Sequence, residues 1–442
     1  MSNATKGDFM DRKQNGGQEL LDFINGSPTA FHAVDNCASI LTEGGFKELR
    51  ENEKWEIKKG GKYFLRRNSS AVIAFEIGTD LCQDGLRIVG THTDAPALKI
   101  KSGDAIVTED GYVKLNTECY GGAILNTWFD RPLSIAGRVI TKSTSGYAEK
   151  HINIEKPVLI IPNLCIHFNR EVNNGCAIVK QVDMLPLLGF AKAGSAKSDY
   201  ILDIVSADAG IAKNEILDYD LFLYESDKGR IMGPNSEFIS ASRLDNLWMV
   251  FTGIKALVNS AGTPSTKVFA AFDNEEVGST TLAGANSSLL GDVIARICSV
   301  MGLSAEESLI AAANSMAVSA DCVHAVHPNH GDKHDSANRP VIGKGLTLKY
   351  SAAQKYATNA RTAAVFADMC KSAGVPYQKF ANRSDLAGGT TIGPVISSLT
   401  SIPTVDLGIP ILAMHSIREF GCLDDNETTI SALSAFFVSQ NM

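Results

Sequence analysis

Between residues 97 and 236 the chain has a different rhythm from the sequence on either side, and that interruption constrains the fold more than any other feature. Within it, YVKLNTE, LSIAGRVIT, KPVLIIPNL, YILDIVSAD and YDLFLYES are short strand-like runs separated by Gly, Asn, Asp and Ser. Helical periodicity is scarce there, apart from a short candidate around Met184–Phe190. Runs of this kind predict a β-rich domain of its own.

The flanks read otherwise. Residues 17 to 50 are expected to be helical. Ser27-Pro28 gives a start signal, a capping Ser with Pro in the first turn, and Gly44-Gly45 gives a stop. Strands are expected around Tyr63–Leu65 and Ala71–Glu76, and LRIVGTHTDAP reads as an apolar strand opening into a polar loop. After residue 237 strands and helices alternate. SRLDNLWMVFTGIKALVNS, GANSSLLGDVIARICSVMG and SAAQKYATNARTAAVFADMCKSAG read as helices, and Ser304 with Glu307 forms a capping box ahead of another. TKVFAAFDNEE, NSMAVSADCVHAVHPN and TVDLGIPILAMHSIRE read as strands running into loops. This alternation predicts a mixed α/β domain, its largely parallel sheet sandwiched by helices. The expectation is one discontinuous α/β domain, residues 1–96 and 237–442, with a β-rich domain inserted at 97–236.

The polar residues just beyond the apolar strands form a set. They are His92 and Asp94 in GTHTDAP, Glu275 and Glu276 in DNEEVGS, Asp321 in SADCVHAVHPN and His415 in AMHSIRE. Each lies at the C-terminal end of a strand, the edge at which open α/β sheets bind ligands. Asp245 in SRLDNL begins the helix that resumes the α/β domain. The nine cysteines are scattered and make no CxxC pair, so a cysteine-rich zinc site is excluded and a reducing, cytoplasmic compartment is expected. Any metal must be held by His, Asp and Glu. Such mixed ligands suit Zn²⁺, with Mn²⁺ or Co²⁺ as substitutes.

Two adjacent glutamates at a strand end repel each other unless a cation or solvent screens them. A binuclear site gives every acid a task. Asp245 bridges two ions, His92 and Asp321 complete one site, and His415 and Glu276 the other. Asp94, two residues from His92, orients that imidazole. Glu275 remains uncoordinated and is placed to take a proton from metal-bound water. Each motif alone is more often an ordinary solvated turn or helix start. Their concurrence in five segments is what points to a metal centre.

The net charge of −8 over 442 residues, with no long basic run, argues against nucleic acid or an anionic membrane as the main partner. No apolar run approaches the roughly 18 residues of a membrane span, and the polar N-terminus lacks a hydrophobic signal region.

GTHTDAP, SRLDNL, DNEEVGS, SADCVHAVHPN and AMHSIRE, in this order, resemble the signature segments of the M18 metallo-aminopeptidases, the aspartyl aminopeptidase family. CYGGAILNTWFDRPL, IPNLCIHFNREVN, KYSAAQKYATN and GGTTIGP are similar to further family segments. The resemblance implies an α/β metallopeptidase domain interrupted by a β dimerisation domain, and two divalent ions per subunit. It places the ligands on His92, Asp245, Glu276, Asp321 and His415, with Asp245 bridging. It makes Glu275 the general base and Asp94 the acid that supports the first ligand. It implies a tetrahedral dodecamer built from dimers, acting on peptides with a free N-terminus. His167 matches a histidine that reaches a neighbouring subunit's active site. Lys349 matches a position near the substrate pocket, where a cation would pair with an acidic N-terminal side chain. Gly388, Gly389 and Thr390 belong to a loop expected beside the substrate. Rival readings are a metal-dependent deacylase or amidohydrolase on the same kind of site, and a non-catalytic assembling shell.

Overall fold

The computed structural model describes residues 6–439 apart from Asp104, Ser145, Ala193, Ser195 and Ser198. The chain divides into two compact units. One comprises the residues up to Asp94, Gly229–Met414 and the residues from Glu419 onward; the other comprises Ala95–Lys228 and the four-residue return His415–Arg418. The expected boundaries at 96/97 and 236/237 fall slightly later than these divisions, and the return at 415–418 is too short to register as a change of texture.

The first unit holds a nine-stranded sheet. Its strands run in the order Lys47–Glu48, Lys62–Arg67, Ala71–Glu76, Thr266–Phe272, Leu86–His92, Met316–Ala320, Thr404–Gly408, Leu346–Tyr350 and Tyr377–Ala381. The four central strands, from Thr266–Phe272 to Thr404–Gly408, are all parallel. Their residues are apolar without alternation because both faces are covered. Val89, Phe269, Ala271, Val318 and Val405 pack with the helices Ala30–Glu43, Leu244–Asn259 and Asp424–Val438. Their neighbours Ile88, Val268, Ala270 and Phe272 point the other way, into Leu289–Val300 and Gly393–Thr400. The helix Leu244–Asn259 is buried on nearly every side. Its Trp248 indole donates to Asn426 Oδ1 at 2.9 Å, so the burial leaves that N–H satisfied.

The second unit is built on a five-stranded antiparallel sheet, in the order Gly146–Asn153, Leu133–Ser143, Ile216–Glu225, Ala97–Ile100 and Thr117–Tyr120. YILDIVSAD, expected as a strand, is instead the helix Asp199–Ala209. Ile201, Val205 and Ala209 recur every fourth residue and are the buried ones, a helical spacing that β-branched composition disguised. The helical candidate Met184–Phe190 ends as the strand Leu187–Phe190, since Pro186 cannot continue a helix.

Two helix starts also moved. The second helix starts after Thr29 rather than Ser27, whose hydroxyl donates back to Phe23 O. Gly44 does close it. The helix expected from Ser351 spans only Ala360–Ser372, with Asn359 accepting the amides of Arg361 and Thr362. The Ser304–Glu307 capping box forms as read.

Candidate metal centre

His92 is the last residue of the strand Leu86–His92, which lies between Thr266–Phe272 and Met316–Ala320. Asp321 follows the latter strand directly, so two side chains from neighbouring strands meet at one sheet edge. His92 is 1% exposed. Its Nδ1 lies 3.0 Å from Asp94 O and 3.3 Å from Asp94 Oδ1. With the proton on Nδ1 donated to Asp94 O, Nε2 is left as a lone-pair donor. That atom is 3.6 Å from Asp245 Oδ1 and 3.5 Å from Asp321 Oδ1.

These separations suit a shared ion. Two donors each about 2.1 Å from a zinc ion at tetrahedral angles sit roughly 3.4 Å apart. One donor atom each of His92, Asp245 and Asp321 lie within 4.8 Å of one another, and so do one each of His92, Glu275 and Glu276. The electrostatics agree. Burial disfavours charge on His92, but the carboxylates of Asp245, Asp321 and Asp94 outweigh it and hold the imidazole pKa well above its ordinary value. The cluster calls for positive charge, which a divalent ion would supply.

The turn carrying the two glutamates explains the DNEEVG sequence. Asn274 and Gly278, at φ 63° and 98°, are both left-handed and bracket the single turn Glu275–Val277. Asn and Gly tolerate that conformation best. The exposed amides at the start of the turn find one acceptor. Glu275 N donates to Asp94 Oδ1 and Glu276 N to Asp94 Oδ2, each at 3.1 Å. Asp94 was expected to steady His92 alone; its carboxylate also fixes the paired acids. Burial, with the charges of Asp321, Asp94 and Asp245 and against that of His92, raises the Glu275 pKa to about 7. A carboxyl near neutrality is suited to exchange protons with substrate.

Lys349 is neither a surface lysine nor a loose one. It sits on the strand Leu346–Tyr350, 2% exposed, with Nζ 3.3 Å from Asp321 Oδ2 and 5.5 Å from the centre of the Tyr356 ring. Burial opposes its charge, yet Asp321 and its acidic neighbours keep its pKa above the ordinary lysine value. The two oxygens of Asp321 are thus divided, one toward His92 and one toward Lys349.

The family model described as Aminopeptidase I zinc metalloprotease (M18) matches residues 23–437. The chain belongs to the M18 family. As a member it is a metallo-aminopeptidase, a hydrolase of a zinc-dependent family. A relative from Clostridium acetobutylicum, described as a probable M18 family aminopeptidase 2, is 51% identical over 411 residues, 92% of this chain and 95% of its own length. The cryo-EM structure of the Ape4 and Nbr1 complex contains a chain that superposes with a TM-score of 0.94 at 34% identity, covering 99% of this chain and 87% of the other. A chain of the S. cerevisiae mApe1 dodecamer structure superposes at 0.85 and 28% identity, covering 97% of each chain.

The remaining expected residues of this M18 chain lie as follows. Glu275 and Glu276 are half-buried. His415 belongs to the short return grouped with the inserted unit, where Nδ1 is 3.2 Å from Gly122 O. His167 is exposed in a turn whose neighbours Leu164, Ile166 and Phe168 are also exposed. Gly388 is half-buried, and a Cβ there would meet Asn382 Nδ2 at 2.1 Å; Gly389 and Thr390 are exposed. The loop they form is fastened by Thr391, whose hydroxyl donates to the buried Asp406 at 2.5 Å.

Three residues that shape the centre were not singled out in the sequence. Asn246 binds main chain on both sides of Asp321. Glu419 Oε2 accepts the Asp245 amide at 2.8 Å. Gly408 leaves room for the main chain of Asp321: a Cβ would lie 1.7 Å from the Asp321 carbonyl oxygen. The Gly in TVDLGIP was the available signal for the last.

No helix among the described residues is long and apolar enough to cross a membrane.

Proposed function

We propose that this chain is a binuclear zinc aminopeptidase that removes N-terminal residues, acidic ones by preference, from peptides. The observation that carries the reading is the trio His92, Asp245 and Asp321 at 3.5–3.6 Å with Glu275, its pKa near 7, beside it. His92 and Asp321 would hold one divalent ion and Glu276 and His415 a second, with Asp245 shared; Mn²⁺ or Co²⁺ would substitute for zinc. When bound, the ions supply Lewis acidity toward the scissile carbonyl and lower the pKa of water.

The side chains do the rest. Glu275 accepts the proton of the attacking water on a carboxylate oxygen and returns it to the leaving amine. Asp94 holds the His92 ring by Nδ1 and the Glu275 turn by its amides, so neither has to reorganise as charge develops. The free N-terminus of the substrate, an ammonium, is drawn to the excess of carboxylates, which restricts cleavage to the first residue. Gly388, Gly389 and Thr390 form the loop beside the substrate. Lys349 supplies the cation for an acidic first side chain and shares itself with Asp321. His167, exposed in its own subunit, serves a neighbouring subunit by helping to stabilise the oxyanion. The superposition on the mApe1 dodecamer supports a homo-dodecameric assembly.

The test is hydrolysis of Asp-, Glu- and Leu-initiated peptides and of N-acylated amino acids by zinc-loaded protein. Cleavage of acidic peptides ahead of Leu peptides is expected. Cleavage confined to acylated amino acids would transfer the site to a deacylase, and no turnover by protein with both ions bound would leave a shell protein.

A further inference from the structure

We propose that Asn246 is a positioning residue whose side-chain amide sets the separation of the carboxylates of Asp245 and Asp321. The inference rests on reading those two acids as metal ligands. Asn246 is fully buried and follows Asp245 directly in the chain. Its Nδ2 donates to Ala320 O at 2.9 Å, and its Oδ1 accepts the Cys322 amide at 3.3 Å. Those two groups flank Asp321. A primary amide offers donors on one side and an acceptor on the other, so one side chain grips the main chain before and after the ligand.

The same two segments are joined again where Cys322 Sγ donates to Leu244 O at 3.6 Å. On its far side, Asp245 is held through its own amide by the buried Glu419. Both carboxylates therefore hang from main chain that is tied together at one residue. Their Oδ1 atoms stand at nearly equal distances, 3.6 and 3.5 Å, from His92 Nε2. Three donors whose mutual spacing is fixed beforehand lose little freedom when an ion enters.

Asn246→Ala removes both bonds. Asn246→Asp keeps the size and the acceptor for Cys322 N but sets an oxygen against the Ala320 carbonyl. The experiment is zinc affinity of the full-length protein by competition with a chromophoric chelator, alongside the thermal midpoint of the zinc-stripped protein and the kinetics. Both variants are expected to bind zinc about 10–100-fold more weakly. Their zinc-stripped midpoints should fall, because buried main-chain groups lose their partners, and at saturating zinc kcat should fall with KM nearly unchanged. Wild-type zinc affinity in a folded variant, with or without a lowered midpoint, would overturn the proposal. So would failure of both variants to fold at any zinc concentration, which would make Asn246 a core residue only. A wild-type protein that binds no zinc would instead defeat the reading of Asp245 and Asp321 as ligands.

Discussion

Two lysines are buried against carboxylates in the large sheet, and they are held differently. Lys267, near the N-terminal edge of the parallel strands, is 2.8 Å from Glu76 Oε2 and also donates to Ser260 O, Ser260 Oγ and Ala261 O. Its three ammonium protons have a full set of acceptors within its own surroundings. Lys349, beside the C-terminal edge, faces Asp321 at 3.3 Å and a tyrosine ring. Burial leads in both cases, but it lowers the pKa of Lys267 while the acids around Lys349 raise that of the second lysine. The first lysine is saturated and its pair serves as scaffold. The second shares its carboxylate with His92. A buried charge that is not fully spent on its neighbours is what a ligand site requires.

The largest expected effect lies at the unsaturated end. Glu275→Gln should lower kcat by about 10²–10⁴-fold while zinc content per subunit, measured by elemental analysis, is unchanged; a loss of metal instead would make Glu275 a ligand. Next comes the scaffold pair. Lys267→Met strands the Glu76 charge and should cost about 3–5 kcal/mol of unfolding free energy in a denaturant titration, with kcat of the folded protein intact. Lys349→Met should cost as much only in zinc-stripped protein, because a bound cation compensates Asp321. It should also narrow the proposed preference for Asp over Leu substrates; an equal stability loss with and without zinc would erase the distinction between the two lysines.

A smaller effect concerns pH. In the proposed mechanism Glu275 must be a carboxylate to accept a proton, and its pKa is raised to about 7 by burial and the neighbouring acids. Activity should therefore fall as pH drops through a limb at or below about 7, since bound cations favour the carboxylate. A limb that survives in the residual activity of Glu275→Gln would belong to another group. The smallest effect lies far from either lysine: Ser304→Ala should cost about 1 kcal/mol of stability and leave the kinetics unchanged.

What the sequence disclosed about this molecule was whatever is written locally. The Ser304 capping box needs only residues three apart. The strand-end acids are legible because an apolar run makes the following charge conspicuous. The helix Ala360–Ser372 was overextended because SAAQKYATN has helix-forming composition. In the fold, the buried Asp406 takes the Ala357 amide at 2.6 Å, and the Thr358 hydroxyl accepts the Asp406 amide at 2.8 Å. Those bonds override propensity from about fifty positions away in the chain. Asn246 and Glu419 escaped notice for the same reason. Their partners are far off in sequence, and no periodicity records a bond between a side chain and distant main chain.

The grip of Asp94 on the amides of Glu275 and Glu276 has a practical corollary. Because it reads the peptide backbone and ignores what projects from it, the turn is a mount with two exchangeable heads. Histidine or aspartate can be installed at 276, or a neutral amide at 275, with the bracket still seated. With the roles proposed for these two residues, the site is thereby open to redesign one head at a time, toward a different ion or a different proton acceptor, without rebuilding the frame that carries it.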